Sequence, residues 1–247
     1  MKKYGPVWII AIMVSILAEA QAPSGDWLLQ KIDENIGSDN KISHSRMIIH
    51  GRRGSRTVES RSWIQGDEKS FTEYLAPPRE AGTKMLKLED QLWTYSPSTD
   101  RIILISGHML RQSVMGSDLS YEDLMEDRRL RSMYDARVTG EEESDGRACW
   151  VLGLTSKDVD AAYHSRRIWV DKERFVVLKE DRFAKGGKLL KRTEAKDVRR
   201  LDGRWIPKNI VFKDMLKTGE GTEFLLEEVR FNAEIPDHVF SKASLRR

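Results

Sequence analysis

The chain has 247 residues, of which 42 are Lys or Arg and 39 are Asp or Glu, for a formal charge of +3. The two signs are interleaved, as in Lys179-Glu180-Asp181-Arg182, which describes a solvated surface and excludes a nucleic-acid footprint. A single cysteine excludes an internal disulfide, so a packed core must hold the fold.

At the N-terminus, Lys2 and Lys3 precede an apolar run from Val7 to Leu17. Ala18-Glu19-Ala20 and Ala20-Gln21-Ala22 follow as two overlapping small-x-small motifs. This is the pattern of a secretory signal peptide cleaved near Ala20, and the run is short for a membrane span. The mature chain, 21–247, is expected to be exported and soluble. Its length suits one all-β barrel or sandwich, and no linker, low-complexity tract or fixed-period repeat divides it.

Leu28, Leu29, Ile32 and Ile36 recur at helical spacing, with Ser24 or Asp26 as N-cap and Gly37 as the stop. From Ile42 onward the segments are short, rich in β-branched and aromatic residues, and separated by turn residues. Strands are expected at 43–50, 57–65, 70–75, 83–88, 92–95, 101–106 and 134–139. Others are expected at 149–155, 167–170, 175–181, 189–198, 205–212 and 223–231. Glu89-Asp90, Ser96-Pro97-Ser98, Gly186-Gly187 and Asp202-Gly203 are close enough turns for hairpins, so the sheet is an antiparallel meander. Ile102 to Ile105 and Phe175 to Leu178 are apolar on both faces, which calls for cover on both sides of the sheet. Cys149, within Ala148-Cys149-Trp150-Val151-Leu152, reads as a small buried hydrophobe.

Between the sixth and seventh strands lies a helical segment containing Met109, Met115 and Met125. Ser120 and Asp123 form an S-x-x-D capping signal, and Tyr121, Leu124 and Met125 share one face of the helix that follows. Methionine fits either permanent core or a surface that adapts to variable partners. Gly107 and Gly116 flank the stretch as conceivable hinges.

The chain carries no G-x-S-x-G, phosphate loop, H-E-x-x-H or C-x-x-C motif. His44 and His50 share a strand face with Arg46 between them, an expected cationic stripe, and Glu141 to Glu143 read as a solvated loop. Asp118 and Asp123 carry no specificity for acid-base work. We therefore expect no catalytic residue, metal or cofactor, and no enzyme.

Four runs, in order, carry a resemblance. They are Phe71-Thr72-Glu73-Tyr74-Leu75-Ala76-Pro77-Pro78, Ala81-Gly82-Thr83-Lys84-Met85-Leu86, Leu92-Trp93-Thr94-Tyr95-Ser96-Pro97, and Met115-Gly116-Ser117-Asp118-Leu119-Ser120-Tyr121-Glu122-Asp123-Leu124. With the ending Ile235-Pro236-Asp237-His238-Val239-Phe240, they resemble the LolA-like outer-membrane lipoprotein-sorting family. The resemblance spans nearly all of the mature chain.

It implies a mainly β fold with helices: a single curved, half-open antiparallel β-barrel closed by helices, LolA/LolB/LppX-like. It further implies a periplasmic carrier or chaperone that takes lipoprotein acyl chains or another lipid into an apolar cavity. The lid candidates are Met109, Leu110, Met115, Leu119 and Leu124, and the wall candidates Trp93, Tyr95, Ile103, Ile105 and Trp169. Arg46 and Arg61 lie in the region of the family's lid-locking basic residue. The expected partners are lipid or lipoprotein, with an inner-membrane transporter or outer-membrane acceptor, and the expected state is a monomer. The alternative is a lipid-responsive regulatory module that binds a membrane protein.

Overall fold

The computed structural model describes residues 22–37, 39–51, 54–125 and 130–247. The expected signal peptide and its cleavage site lie outside these residues. Among the described residues no helix is long and apolar enough to cross a membrane.

Helix α1 (Gly25–Ile36) begins where Ser24, in extended backbone, accepts the Trp27 N–H on its Oγ at 3.2 Å. Ser24 is thus the N-cap, supplying an acceptor to one of the orphan amides of the first turn. Asp26 instead lies in the first turn and pairs with Arg131 at 2.8 Å. Leu28, Leu29 and Ile32, spaced to share one side, are at most 1% exposed. They pack on Tyr134, Leu152, Leu154, Ile168 and Val170. Burial of each aliphatic side chain contributes roughly 1.5–3 kcal/mol. Gly25 sits so close to the sheet that a Cβ there would lie 2.4 Å from the Ala136 carbonyl oxygen, so no other residue fits this helix start.

The first six strands are β1 (Asn40–Gly51), β2 (Gly54–Gln65), β3 (Lys69–Ala76), β4 (Lys84–Leu88), β5 (Gln91–Ser96) and β6 (Arg101–Ile105). Seven more follow: β7 (Tyr134–Ser144), β8 (Arg147–Ser156), β9 (Ser165–Asp171), β10 (Val177–Phe183), β11 (Leu189–Leu201), β12 (Arg204–Asp214) and β13 (Thr222–Phe231). They form one antiparallel sheet in the order β6-β5-β4-β3-β2-β1-β13-β12-β11-β10-β9-β8-β7. It is curved and not closed, which is the mainly β, half-open architecture the sequence implies. Each expected strand is present.

Three local expectations are corrected. Glu141 to Glu143 are not a loop but the end of β7, because Asp145 and Gly146 both take positive φ and make the two-residue hairpin turn to β8. Phe175, expected to open a strand, has φ +51° and belongs to the turn before β10. β6 is not covered on both sides: as an edge strand it leaves Ile103 and Leu104 41% and 44% exposed.

The register fixes which residues share a face, because directly paired residues point the same way. Ile49, Thr222, Phe212, Thr193, Glu180, Ile168 and Leu152 are successive cross-strand partners over seven strands. Helix α1 covers this row at the Ile168 and Leu152 end, so we call its side the helix face. On the opposite side, Phe71, Leu86 and Trp93 lie beneath Ile235, Phe240 and Leu245 of the C-terminal tail. The tail is anchored at its end, where Lys84 Nζ donates to the Arg247 carbonyl at 2.8 Å.

Candidate functional site

After β6 the chain crosses the helix face as two short 3-10 turns, Gly107–Arg111 and Val114–Gly116, and then helix α2 (Tyr121–Met125). This segment, 107–125, is a strap laid over β1 to β6. Its underside (Met109, Leu110, Val114, Met115, Leu119, Leu124) packs on Met47, Val58, Tyr74, Met85, Leu92 and Ile105. The strap is shaped by its own bonds. The Val114 N–H donates to the Leu119 carbonyl at 2.8 Å, and Ser117 Oγ donates to the Val114 carbonyl at 2.7 Å. The loop closes through Met115 at φ +51° and Gly116 at φ +71°. For methionine that left-handed backbone costs on the order of 1 kcal/mol.

Two carboxylates tie the strap to the far half of the sheet. Asp118 is 8% exposed. Its N–H donates to Thr222 Oγ1 at 3.0 Å, the Thr222 hydroxyl returns a bond to Oδ2 at 2.9 Å, and the Asp214 N–H donates to Oδ1 at 2.9 Å. Lys191 donates to the Asp118 carbonyl at 2.6 Å, and Lys217 donates to the Ser117 carbonyl at 2.8 Å.

Asp123 is the second tie. Its Oδ2 accepts the Ser120 N–H at 2.7 Å and hydroxyl at 2.8 Å, so the capping signal is real. Its Oδ1 accepts the Tyr163 hydroxyl at 2.7 Å and Arg182 Nη1 at 2.9 Å, and Lys191 Nζ lies 3.6 Å from Oδ2. Burial would raise this carboxyl, but Arg182 and Lys191, with the Ser120 and Tyr163 bonds, outweigh it and hold it below the usual range. Behind Arg182, Glu180 accepts from Arg182 at 2.9 Å and from Arg166 at 2.7 Å. Burial would raise Glu180 too, yet the two guanidiniums bring it down to about 2. Arg166 in turn lies 4.5 Å from the centre of the Tyr134 ring.

Along β1 and β2 beyond Met47 and Val58, the same face changes character to short hydroxylated side chains. Ser43 pairs with Ser62 and Ser45 with Ser60 in the register. The Ser45 and Ser60 hydroxyls share a hydrogen bond at 3.1 Å, and those of Ser62 and Thr72 one at 2.9 Å.

The candidate residues divide by face. Met109, Leu110, Met115, Leu119 and Leu124 all lie in the strap against the helix-face cluster, which contains Ile105. Ile103, two residues before Ile105, points to the same face but is largely exposed. Trp93 and Tyr95 lie on the opposite face under the C-terminal tail, where Lys242 Nζ sits 4.1 Å from the Trp93 ring centre. Trp169 belongs to a separate cluster with Cys149 and Val151, and its indole N–H donates to Glu142 at 2.7 Å. Arg46 pairs with Glu227 at 2.6 Å, and Arg61 stacks 4.9 Å from Trp63. The cations that hold the strap are instead Arg182, Lys191 and Lys217, with Lys87 donating to the Met125 carbonyl at 3.3 Å. Arg61 also lines, with Ile42, His44 and Leu75, a surface concavity of about 460 Å³ away from the strap. The expected cationic stripe of β1 is offset by β13, where Glu223 pairs with His50 at 2.8 Å and Glu227 with Arg46.

A family model described as "uncharacterized protein" matches residues 66–247. No curated protein matches the sequence. Among solved structures, a DUF1329 family protein from Desulfovibrio piger is 26% identical with a TM-score of 0.82, over 90% of this chain and 97% of that one. A LolA superfamily protein from Nitrosomonas europaea is 23% identical with a TM-score of 0.76, over 90% and 100%. A Vibrio parahaemolyticus domain assigned to outer membrane lipoprotein sorting is 24% identical with a TM-score of 0.80, over 90% and 98%. The last two establish likeness of fold. With its matched length and its open sheet under a latched strap, the chain belongs to this family of uncharacterized proteins, the DUF1329 family, and has the LolA-like fold.

Proposed function

We propose that this protein is a periplasmic carrier that binds the acyl chains of lipoproteins or of another lipid on the helix face, beneath a displaceable lid formed by 107–125. The observation that carries the reading is the strap itself: an apolar, methionine-rich underside laid on an apolar sheet and fastened by a few polar ties. Each CH₂ of an acyl chain in water costs about 0.8 kcal/mol, so a carrier must offer comparable apolar burial. A lid that exchanges contacts with its own sheet for contacts with cargo keeps the net affinity moderate and permits release.

The reading takes residues 1–20 as the export signal, 21–247 as one carrier domain, and a monomer that receives and delivers cargo at membrane partners. Likeness to LolA-superfamily and lipoprotein-sorting structures supports it.

The test is uptake of a fluorescent fatty acid by the purified mature chain, with native mass spectrometry of protein taken from its own cell envelope. Saturable uptake, weakened by Leu119→Asp in a variant that keeps its circular dichroism, is the expected result. Absence of uptake together with an unliganded mass after incubation with bilayers would overturn the reading.

A further inference from the structure

We propose that the cations beneath the lid form a headgroup subsite for an anionic lipid, and that Asp123 holds their place until such a lipid arrives. This deepens the carrier reading and rests on it.

The Arg182 and Lys191 side chains are only 13% and 14% exposed. Arg182 divides its guanidinium between Glu180 and Asp123, each at 2.9 Å. Lys191 lies 3.2 Å from Asp214 and 3.6 Å from Asp123, and donates to the Asp118 carbonyl. Glu180 and Asp214 belong to the sheet, whereas Asp123 and Asp118 belong to the lid. If the lid lifts, each cation loses a carboxylate and Tyr163 loses its bond to Asp123. Each cation keeps one carboxylate from the sheet, and depriving a buried charge of the other is unfavourable. A cargo that brings its own anion removes that penalty, and a cargo with an uncharged head does not.

The donor set suits such a head. A guanidinium, an ammonium and a phenolic hydroxyl converge on one carboxylate, the arrangement that also receives a phosphate oxygen. Arg182 has capacity to spare, since its Nε is buried without a partner among the described residues. Position fits as well: Asp123 neighbours Leu124 on the same short helix, so the anion subsite adjoins the apolar positions that an acyl chain would take. A membrane phosphodiester with acyl tails meets both requirements, and free phosphate meets only the first.

The experiment uses the mature chain and three probes. They are a fluorescent phosphatidylglycerol and the diacylglycerol with identical chains, each offered in phosphatidylcholine vesicles, and glycerol phosphate without chains. Retention on the protein is read after gel filtration, and glycerol phosphate is tested as a competitor. The expected result is phosphatidylglycerol retained about tenfold or more over diacylglycerol, the scale of one charge-assisted bond lost or kept. Lys191→Gln should bring the ratio of phosphatidylglycerol to diacylglycerol retained toward one, that ratio and not the retention of either lipid being the readout, and Asp123→Asn should raise the ratio. Equal retention of the two lipids would overturn the headgroup subsite and leave the carrier standing. Retention of neither lipid would overturn both. Glycerol phosphate competing as well as the full lipid would overturn the lipid assignment and leave an anion site alone.

Discussion

Asp118 and Thr222 exchange hydrogen bonds in both directions: the Asp118 N–H donates to Thr222 Oγ1 at 3.0 Å, and the Thr222 hydroxyl donates to the Asp118 carboxylate at 2.9 Å. Thr222 is fully buried, so neither bond competes with bulk water. One hydroxyl at the start of β13 thereby satisfies both the backbone and the side chain of the lid tip.

Thr222→Val keeps the shape and removes both bonds, leaving a buried amide and carboxylate short of a partner. We expect a loss of about 1–3 kcal/mol. Amide hydrogen exchange should quicken across 107–125 while α1 stays protected. Uniform acceleration over the whole chain would contradict the assignment of Thr222 to the lid latch.

Pinning the same contact should do the reverse. Asp118→Cys with Thr222→Cys is expected to give, on oxidation, a protein that no longer exchanges fluorescent fatty acid and that recovers exchange on reduction. Undiminished exchange in the oxidised form would exclude movement of this part of the strap as the gate.

The buried carboxylate Glu180 sets a pH dependence. Its pKa falls from 4.5 to about 2 in the folded chain. A depressed carboxyl stabilises the fold above its unfolded value, and that contribution is lost as pH falls from about 4.5 through about 2. The shift corresponds to on the order of 3 kcal/mol. Glu180→Gln should therefore be markedly less stable than the parent at pH 7, and the gap in denaturation midpoint should close as pH approaches 2. A gap independent of pH would assign the effect to packing.

Cys149 is fully buried, and burial pushes its thiol up to about 11, with the Asp171 carboxylate adding to the rise. Alkylation by iodoacetamide at pH 8 should proceed only through unfolding, so its rate should follow global stability across the variants above. Rapid labelling of the native protein would place the thiol at the surface.

At the cap of α1, Ser24→Ala should cost about 1 kcal/mol. Leu28→Ala, at a position with no exposure, should cost 2–5 kcal/mol. Thermal melts that reverse this order would show that the helix is held by its end and not by its face.

The strands were legible because alternation, turn residues and β-branched content all act locally, and the same holds for Ser24 as a cap. The strap was legible as a piece of sequence. Its polar ties were not, because Asp118 and Asp123 meet Thr222, Arg182 and Lys191 across separations of 59 to 104 positions. One signal did exist. Glu180 and Arg182 alternate with Asp181 in a strand that opens on Val177-Leu178, and charged residues continuing an apolar strand imply partners arriving from elsewhere. Hydrophobicity does not say which side of a sheet a residue takes, and Trp93, Tyr95 and Trp169 lie away from the strap's underside. Only the register with Leu104 sends Trp93 to the tail face, with Leu104 as its partner. The Glu141 to Glu143 run misled. On an edge strand, Glu142 finds Arg167 and Trp169 two strands away on β9, and Glu141 finds Lys172 just beyond the end of β9.

The two margins of the open sheet differ in a way that bears on crowding. The β7 margin carries Asp135, Arg137, Glu141, Glu142 and Glu143 and a bulge near Thr139, which are devices that repel an incoming strand. The β6 margin is Arg-Ile-Ile-Leu-Ile with two of its large side chains open to solvent. A polymer built edge to edge needs two receptive margins on every molecule, and this one has a single receptive margin. Pairing through β6 consumes it, so stray association ends with two molecules back to back, and growth into a fibre has no next site to use.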